Sequence, residues 1–270
     1  MIIYIPTYMR EDKQVAFNSL PENIRPFVSL VTHSGRAGLL KEANPKAAVI
    51  DLGPCDGIAD VRQKLLDRSP EDKVFIIDDQ CRFKKRNADM KYEPMTEADF
   101  HNMFDLVDDY LDTYSMVGIS DRGGNNRLLE ATKEIARMYS VYGINKAAWS
   151  ELGVSFDGMY QKDKSIKLYE DFYAILSLLT KGKPNLLICD YVFESKHGAA
   201  GGNSTFRNNA TQKACIEALQ REFPQFVSID KKTDASWTTE SGDTDRWEAR
   251  VAWKDAFLSG SSTASLSEFF

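Results

Sequence analysis

Short apolar runs that end in polar or acidic residues alternate, along the first half of the chain, with stretches whose apolar positions recur at helical spacing. Runs at 2–5, 27–31, 47–51 and 74–77 predict buried strands, because a strand covered on both faces reads as uninterrupted apolar sequence. A helix is predicted around 14–20. A second is predicted over 58–66, where Ile58, Val61, Leu65 and Leu66 share one face and Ser69-Pro70 stops it. The order β-α-β-β-α-β favours a mostly parallel sheet covered by helices. Further on, 97–114 reads as a helix whose acidic face is solvated, 116–120 as a strand, and 121–127 as a polar, glycine-containing loop. The segment to Arg137 reads as helical or mixed, 138–144 as a strand, and 145–152 as a short helix ended by Gly153. The pattern is clearest over 168–180, where Leu168, Phe172, Ile175, Leu176 and Leu179 form an apolar helical stripe. A strand at 186–193, a loop at 194–205, a helix at 211–222 and edge strands at 226–229 and 249–253 follow. With no internal repeat and no clean linker, residues 1–258 are expected to form one domain, and the Ser-rich 259–270 a flexible tail.

The strand over Val74–Ile77 runs straight into Asp78 and Asp79. In an open α/β sheet the carboxyl ends of the strands share one edge, and ligands bind there. Thr7 and Arg10 follow the first strand, Arg122 follows the 116–120 strand, and His197 follows the 186–193 strand. The same edge would therefore gather carboxylates able to hold a divalent cation with basic groups able to meet phosphate. That set suits transfer of a group from a diphosphate leaving group, with the cation neutralising the departing charge and a second carboxylate taking a proton.

Composition narrows the classes. The chain has 270 residues, 43% hydrophobic and 27% charged. No apolar run approaches the roughly 20 residues that a membrane helix needs. Met1-Ile2-Ile3-Tyr4-Ile5-Pro6 has no basic stretch before it and is not read as a secretory signal. Cys55, Cys81, Cys189 and Cys215 form no C-x-x-C pair, so neither a zinc site nor a disulfide framework is expected, and a cytoplasmic setting is. The net charge of −6 argues against generic nucleic-acid binding. A local basic run, Arg82, Lys84, Lys85 and Arg86, directly follows the acidic pair.

Taken in order, the motifs resemble GT-A-fold glycosyltransferases, enzymes that use nucleotide-sugar donors. Ile5-Pro6-Thr7-Tyr8-Met9-Arg10 is similar to their opening strand and nucleotide-binding turn, and 57–63 to a helix carrying a donor-site arginine. Phe75–Gln80 is similar to the strand and D-x-D motif, and 143–157 to the segment preceding the acceptor helix. Tyr169-Glu170-Asp171 stands where the family places its x-E-D motif. The resemblance covers roughly residues 1–210 and implies a Rossmann-type single domain with helices on both faces of the sheet.

The resemblance also implies roles. Pro6, Thr7, Arg10, Arg62, Asp78 and Asp79 would bind the nucleotide sugar, a UDP-sugar. Asp79 or Gln80, with His197, would hold Mn2+ or Mg2+; alternatively His197 touches the diphosphate. Asp171, beside Glu170, would be the catalytic base. Gln80 departs from the pattern, since an amide oxygen is a poorer ligand for a hard cation than a carboxylate. The Gly-Gly-Asn-Asn-Arg loop and the basic run resemble phage enzymes that glycosylate hydroxymethyl-pyrimidines in DNA. On that likeness Arg82, Lys84 and Lys85 would grip the backbone, and Arg122, Asn125 and Asn126 would read a base. Trp237, Trp247 and Trp253 would be available to stack. Such an enzyme would act in the host cytoplasm. The alternatives are the same chemistry on a glycan, lipid or protein acceptor, a nucleotidyltransferase, or a binding module that has kept the fold. The nucleotidyltransferase lacks support because no glycine-rich phosphate loop follows the first strand.

Overall fold

A computed structural model describes residues 1–125, 129–195, 208–233 and 246–267. The first half of the chain is built from β1 (Ile2–Pro6), α1 (Val15–Ser19), β2 (Val28–Thr32), α2 (Ala37–Ala43), β3 (Ala48–Asp51), α3 (Ile58–Arg68) and β4 (Lys73–Ile77). The middle adds β5 (Cys81–Arg86), β6 (Tyr92–Pro94), α4 (Glu97–Tyr110), β7 (Met116–Asp121), α5 (Arg122–Asn125), β8 (Thr132–Glu134) and β9 (Val141–Asn145). Then come α6 (Lys146–Leu152), α7 (Gly158–Lys162), α8 (Glu170–Leu179), β10 (Leu186–Ser195), α9 (Asn209–Glu222), β11 (Val227–Lys232), β12 (Arg246–Val251) and α10 (Trp253–Ser267).

The main sheet has the order β3-β2-β1-β4-β9-β7-β10-β5-β6, with β8 alongside β10. Strands β1 to β4, β7 and β10 run the same way, and β9 enters antiparallel between β4 and β7. Helices cover both faces. On one, α3, α6, α8, α9 and α10 pack around Leu65, Trp149, Ile175 and Leu219. On the other, α1, α2 and α4 pack around Phe17, Leu40 and Met103. The α/β fold with a mostly parallel sheet is thus the one expected.

Local chemistry sets several boundaries. Thr96 and Asp99 form a reciprocal capping box at the start of α4. Asn145 caps α6 through the Ala148 N–H, and Gly153 closes that helix in the left-handed conformation that glycine tolerates best.

The structure corrects several expectations. Ala37–Ala43 is a helix, hidden in the sequence because it buries little beyond Leu40. The basic run after the acidic pair is a sheet strand, β5, paired with β10. The segment before Arg137 contains β8 in place of a helix. Among the described residues, strands β11 and β12 pair only with each other, as a separate small sheet. Helix α10 continues through Ser267, across most of the expected tail. Its Gly260 lies so close to the end of α8 that a side-chain carbon there would come within 2.5 Å of the Thr180 carbonyl oxygen. Trp253 packs on Phe172 with ring centroids 5.4 Å apart, and Lys213 covers Trp247, so neither ring is an open stacking platform. Trp237 lies outside the described residues.

Candidate active site

Successive side chains of a strand point to opposite faces, and this alternation carries on past the end of β4. Asp79 follows the parity of Ile77 and Asp78 that of Ile76, which belong to different cores. The two adjacent carboxylates therefore enter two different networks.

Asp79 is only 4% exposed. Its Oδ2 accepts from the Thr7 hydroxyl at 2.9 Å and its Oδ1 from Arg10 Nη1 at 2.9 Å. Gln14 donates to both Thr7 Oγ1 (2.9 Å) and the Arg10 carbonyl (2.7 Å), tying the turn after β1 to the end of β4. Burial pushes the Asp79 carboxyl up, against the pull of Arg10 and Thr7. Pro6, the last residue of β1, pairs with Val31 and fixes where this turn begins.

Asp78 accepts from Arg62 Nη2 at 3.1 Å, and its carboxylate is 35% exposed. Arg62, buried on α3, donates its other arm to Glu170 Oε1 at 2.5 Å. The guanidinium lies over the rings of Tyr142 (5.3 Å) and Phe156 (5.9 Å). Burial would loosen the Arg62 proton, but Tyr142, Glu170 and Asp78 outweigh it and hold that proton more tightly than usual. Burial also pushes Glu170 up to about 7, with Arg62 pulling the other way. Two atoms of this cluster, Arg62 Nε and the Tyr142 hydroxyl, are buried with no hydrogen-bond partner. Buried polar atoms are nearly always paired, so a polar core left partly unspent is a feature of working sites.

Asp171 is half-buried beside Glu170 in the first turn of α8. Its Oδ1 accepts from the Phe172 N–H at 3.0 Å, and its charge is felt at Arg62, Glu170 and Tyr142. The expected nucleotide and catalytic residues Thr7, Arg10, Arg62, Asp78, Asp79, Glu170 and Asp171 are thus brought together by contact or through a shared neighbour. Non-glycine residues in the left-handed conformation flank the site: Met9 after β1, Ser140 before β9 and Tyr169 before α8. Such strain gathers where a surrounding structure holds a geometry for use.

The metal residues are placed less simply. Both Asp79 oxygens are taken by Thr7 and Arg10, and Gln80 Nε2 donates to the Lys13 carbonyl at 2.9 Å. Among the described residues, Asp78 Oδ2 and Gln80 Oε1 have no hydrogen bond, and no group of three His, Cys, Asp or Glu side chains stands ready for a cation. One carboxylate oxygen and one amide oxygen suit a hard cation that takes its remaining ligands from phosphate and water. His197 lies outside the described residues.

The acceptor residues are corrected in part. Arg122 pairs with Glu194, which also takes Lys84 at 3.0 Å. Lys85 pairs with Asp99 at 3.0 Å and Glu93 at 3.6 Å, and Arg86 lies 3.6 Å from Asp190. The run is positive in sequence, but facing carboxylates neutralise most of it; Arg82 alone of the four is exposed. Asn125 ends α5, and Asn126 lies outside the described residues.

Some neighbours of the site went unread in the sequence. Tyr8 stacks on His33 after β2, with centroids 4.3 Å apart and planes 10° from parallel, and Arg36 lies over Tyr8. Burial lowers the His33 ring's affinity for a proton. The rule that singled out Thr7, a polar residue just past an apolar strand, also applies to His33.

No family model matches the chain. Over 240 residues it is 27% identical to the β-glucosyl-HMC-α-glucosyl-transferases of Enterobacteria phages T6 and T2, taking in 82% of this chain and 80% of each relative. Among solved structures it resembles glucosyl-3-phosphoglycerate synthase from Mycobacterium tuberculosis, in a complex with Mg2+ and UDP. The TM-score is 0.50 at 10% identity, over 94% of this chain and 90% of that one. A complex of that enzyme with Mn2+, UDP and phosphoglyceric acid gives the same TM-score, at 11% identity. The chain has a GT-A fold.

Proposed function

We propose that the chain is a glycosyltransferase that moves a sugar, glucose being the first candidate, from a UDP-sugar to a hydroxymethyl-pyrimidine in phage DNA. The observation that carries the reading is Arg62, buried and held by Asp78 and Glu170 from two distant segments at one sheet edge. The phage relatives, named for glucosyl transfer and HMC, point to the acceptor.

Thr7, Arg10 and Arg62 orient the nucleotide and its phosphates. Asp78 and Gln80 would hold a divalent cation, which when bound offsets charge on the leaving diphosphate. The acceptor oxygen forms the new bond to the anomeric carbon. The bond from that carbon to the diphosphate oxygen breaks, its electron pair leaving with the diphosphate, and Asp171 takes the hydroxyl proton. Glu170 is spent on Arg62, which leaves Asp171 as the base. An acceptor base in a duplex must be flipped out or met in an exposed strand. Among the described residues no helix is long and apolar enough to cross a membrane.

The test is transfer of label from UDP-glucose, with Mn2+ or Mg2+, to DNA carrying unmodified cytosine, hydroxymethylcytosine or glucosylated hydroxymethylcytosine. Label in either modified DNA and none in unmodified DNA supports the reading. Equal label in all three removes the hydroxymethyl requirement. No label with any DNA, and none on a glycan panel, removes the transferase.

A further inference from the structure

Beyond the nucleotide and metal residues, the rim carries a second polar constellation built around Tyr139. This residue comes just before Ser140, whose left-handed backbone (φ 62°) breaks the extended chain ahead of β9. Ser140 accepts from the Asp78 N–H at 2.7 Å, so the kink is fastened to the acidic end of β4. On one side stands the carboxylate of Asp121, the last residue of β7; burial first, and then this neighbouring charge, pushes the Tyr139 hydroxyl's pKa up. On the other, Arg137 lies over the Tyr139 ring at 4.7 Å and over the Phe172 ring at 4.6 Å, next to Asp171. Phe193, paired with Asp121 across β7 and β10, backs the Tyr139 ring edge-on at 5.5 Å.

The two charged groups are held but not spent. Among the described residues, neither Asp121 nor Arg137 is in an ion pair. Arg137 is exposed and Asp121 half-exposed. They contrast with Arg62, Lys84, Lys85 and Arg122, all of which meet carboxylates. An aromatic ring flanked by an open acceptor and an open donor matches the chemistry of a sugar, whose hydroxyls each give and take a hydrogen bond. The position fits as well. β7 runs the same way as β4, so Asp121 at its end stands on the same carboxyl edge of the sheet as Asp78 and Asp79.

We propose that Asp121 and Arg137, which flank Tyr139, recognise the hydroxyls of the sugar being transferred and so set which donor the site accepts. The inference rests on the UDP-sugar reading above. Asp121 accepts from the sugar hydroxyls, and Arg137, stacked on Tyr139, donates from the side of α8.

The test compares binding of UDP, UDP-glucose and UDP-galactose by calorimetry, with Mn2+ present, for the wild type, Asp121→Asn, Arg137→Met and Tyr139→Phe. Loss of one hydrogen bond to a charged group should weaken UDP-glucose by about tenfold or more, and narrow the preference between the two epimers. Binding of UDP, which has no sugar, should stay within about twofold of wild type. Unchanged UDP-glucose binding in both Asp121→Asn and Arg137→Met overturns the inference, and so does an equal loss for UDP and UDP-glucose. A raised KM for DNA with donor affinity intact also overturns it, by moving the pair to the acceptor side. A wild type that binds neither UDP nor UDP-glucose overturns the donor reading itself, a result distinct from the other three.

Discussion

Arg62 and Glu170 stand 108 residues apart in the chain and meet in the interior at 2.5 Å. The bond joins α3 to the start of α8, and through Asp78 it ties both to the end of β4.

Removing one member leaves a buried charge unmatched. Arg62→Ala should destabilise the fold by about 3–5 kcal/mol. Arg62→Met combined with Glu170→Leu should recover most of that stability and none of the activity. Chemical denaturation of the three proteins, beside a UDP-binding measurement, separates the two effects.

The same pair predicts a dependence on pH. The guanidinium keeps its proton throughout, so Glu170, raised from 4.5 to about 7, is the group that titrates. A raised carboxyl binds more protons folded than unfolded. Its contribution to stability is therefore whole below pH 4.5 and is lost as the pH rises to about 7. Glu170→Gln removes this slope. The stability of wild type relative to the variant should fall across that window and level off above it, as urea denaturation at a series of pH values would show.

Asp78 and Asp79 should fail differently. Asp78→Asn should weaken Mn2+-supported UDP binding by about tenfold or more, since Asp78 Oδ2 is the open carboxylate oxygen. Asp79→Asn should instead lower the melting temperature, because both its oxygens hold the turn after β1. Calorimetric titration and thermal melts would tell them apart.

Lys84 and Lys85 face Glu194 and Asp99, so they should add little to DNA binding. Two direct phosphate contacts would contribute about 1.8 to the slope of log K against log salt. The Lys84→Ala, Lys85→Ala double variant should change that slope by less than about 0.5. A drop near the full value would show that both lysines leave their carboxylates for DNA.

Gly260→Ala should cost about 1–3 kcal/mol, since the added carbon would land on the Gly182 and Thr180 backbone at the end of α8. Denaturation midpoints for this variant and for Gly153→Ala, where nothing lies within 4 Å but the backbone is left-handed, would separate close approach from backbone strain.

Much of the site was legible because its residues stand where apolar strands stop. Thr7, Asp78 and Asp79 are polar residues just past buried runs, and Glu170 and Asp171 open the most regular helix of the chain. Charge pairing was not legible. Arg82 to Arg86 reads as a basic cluster because its partners Glu194, Asp99 and Asp190 arrive from other strands and helices. Tyr139 and Arg137 stayed hidden because their role depends on the kink at Ser140, which no residue type there announces. Helix α10 was missed because its Ser-rich sequence resembles a loose end, while close contact at Gly260 seats it.

The divergence at the end of β4 makes the tandem Asp-Asp a fork and not a duplicate. Each prong serves a different half of the molecule, so neither aspartate can substitute for the other. Inserting or deleting one residue between Ile77 and Asp78 would exchange the prongs, presenting Arg62 with the wrong neighbour and leaving Thr7 without one, although the composition of the site would hardly change.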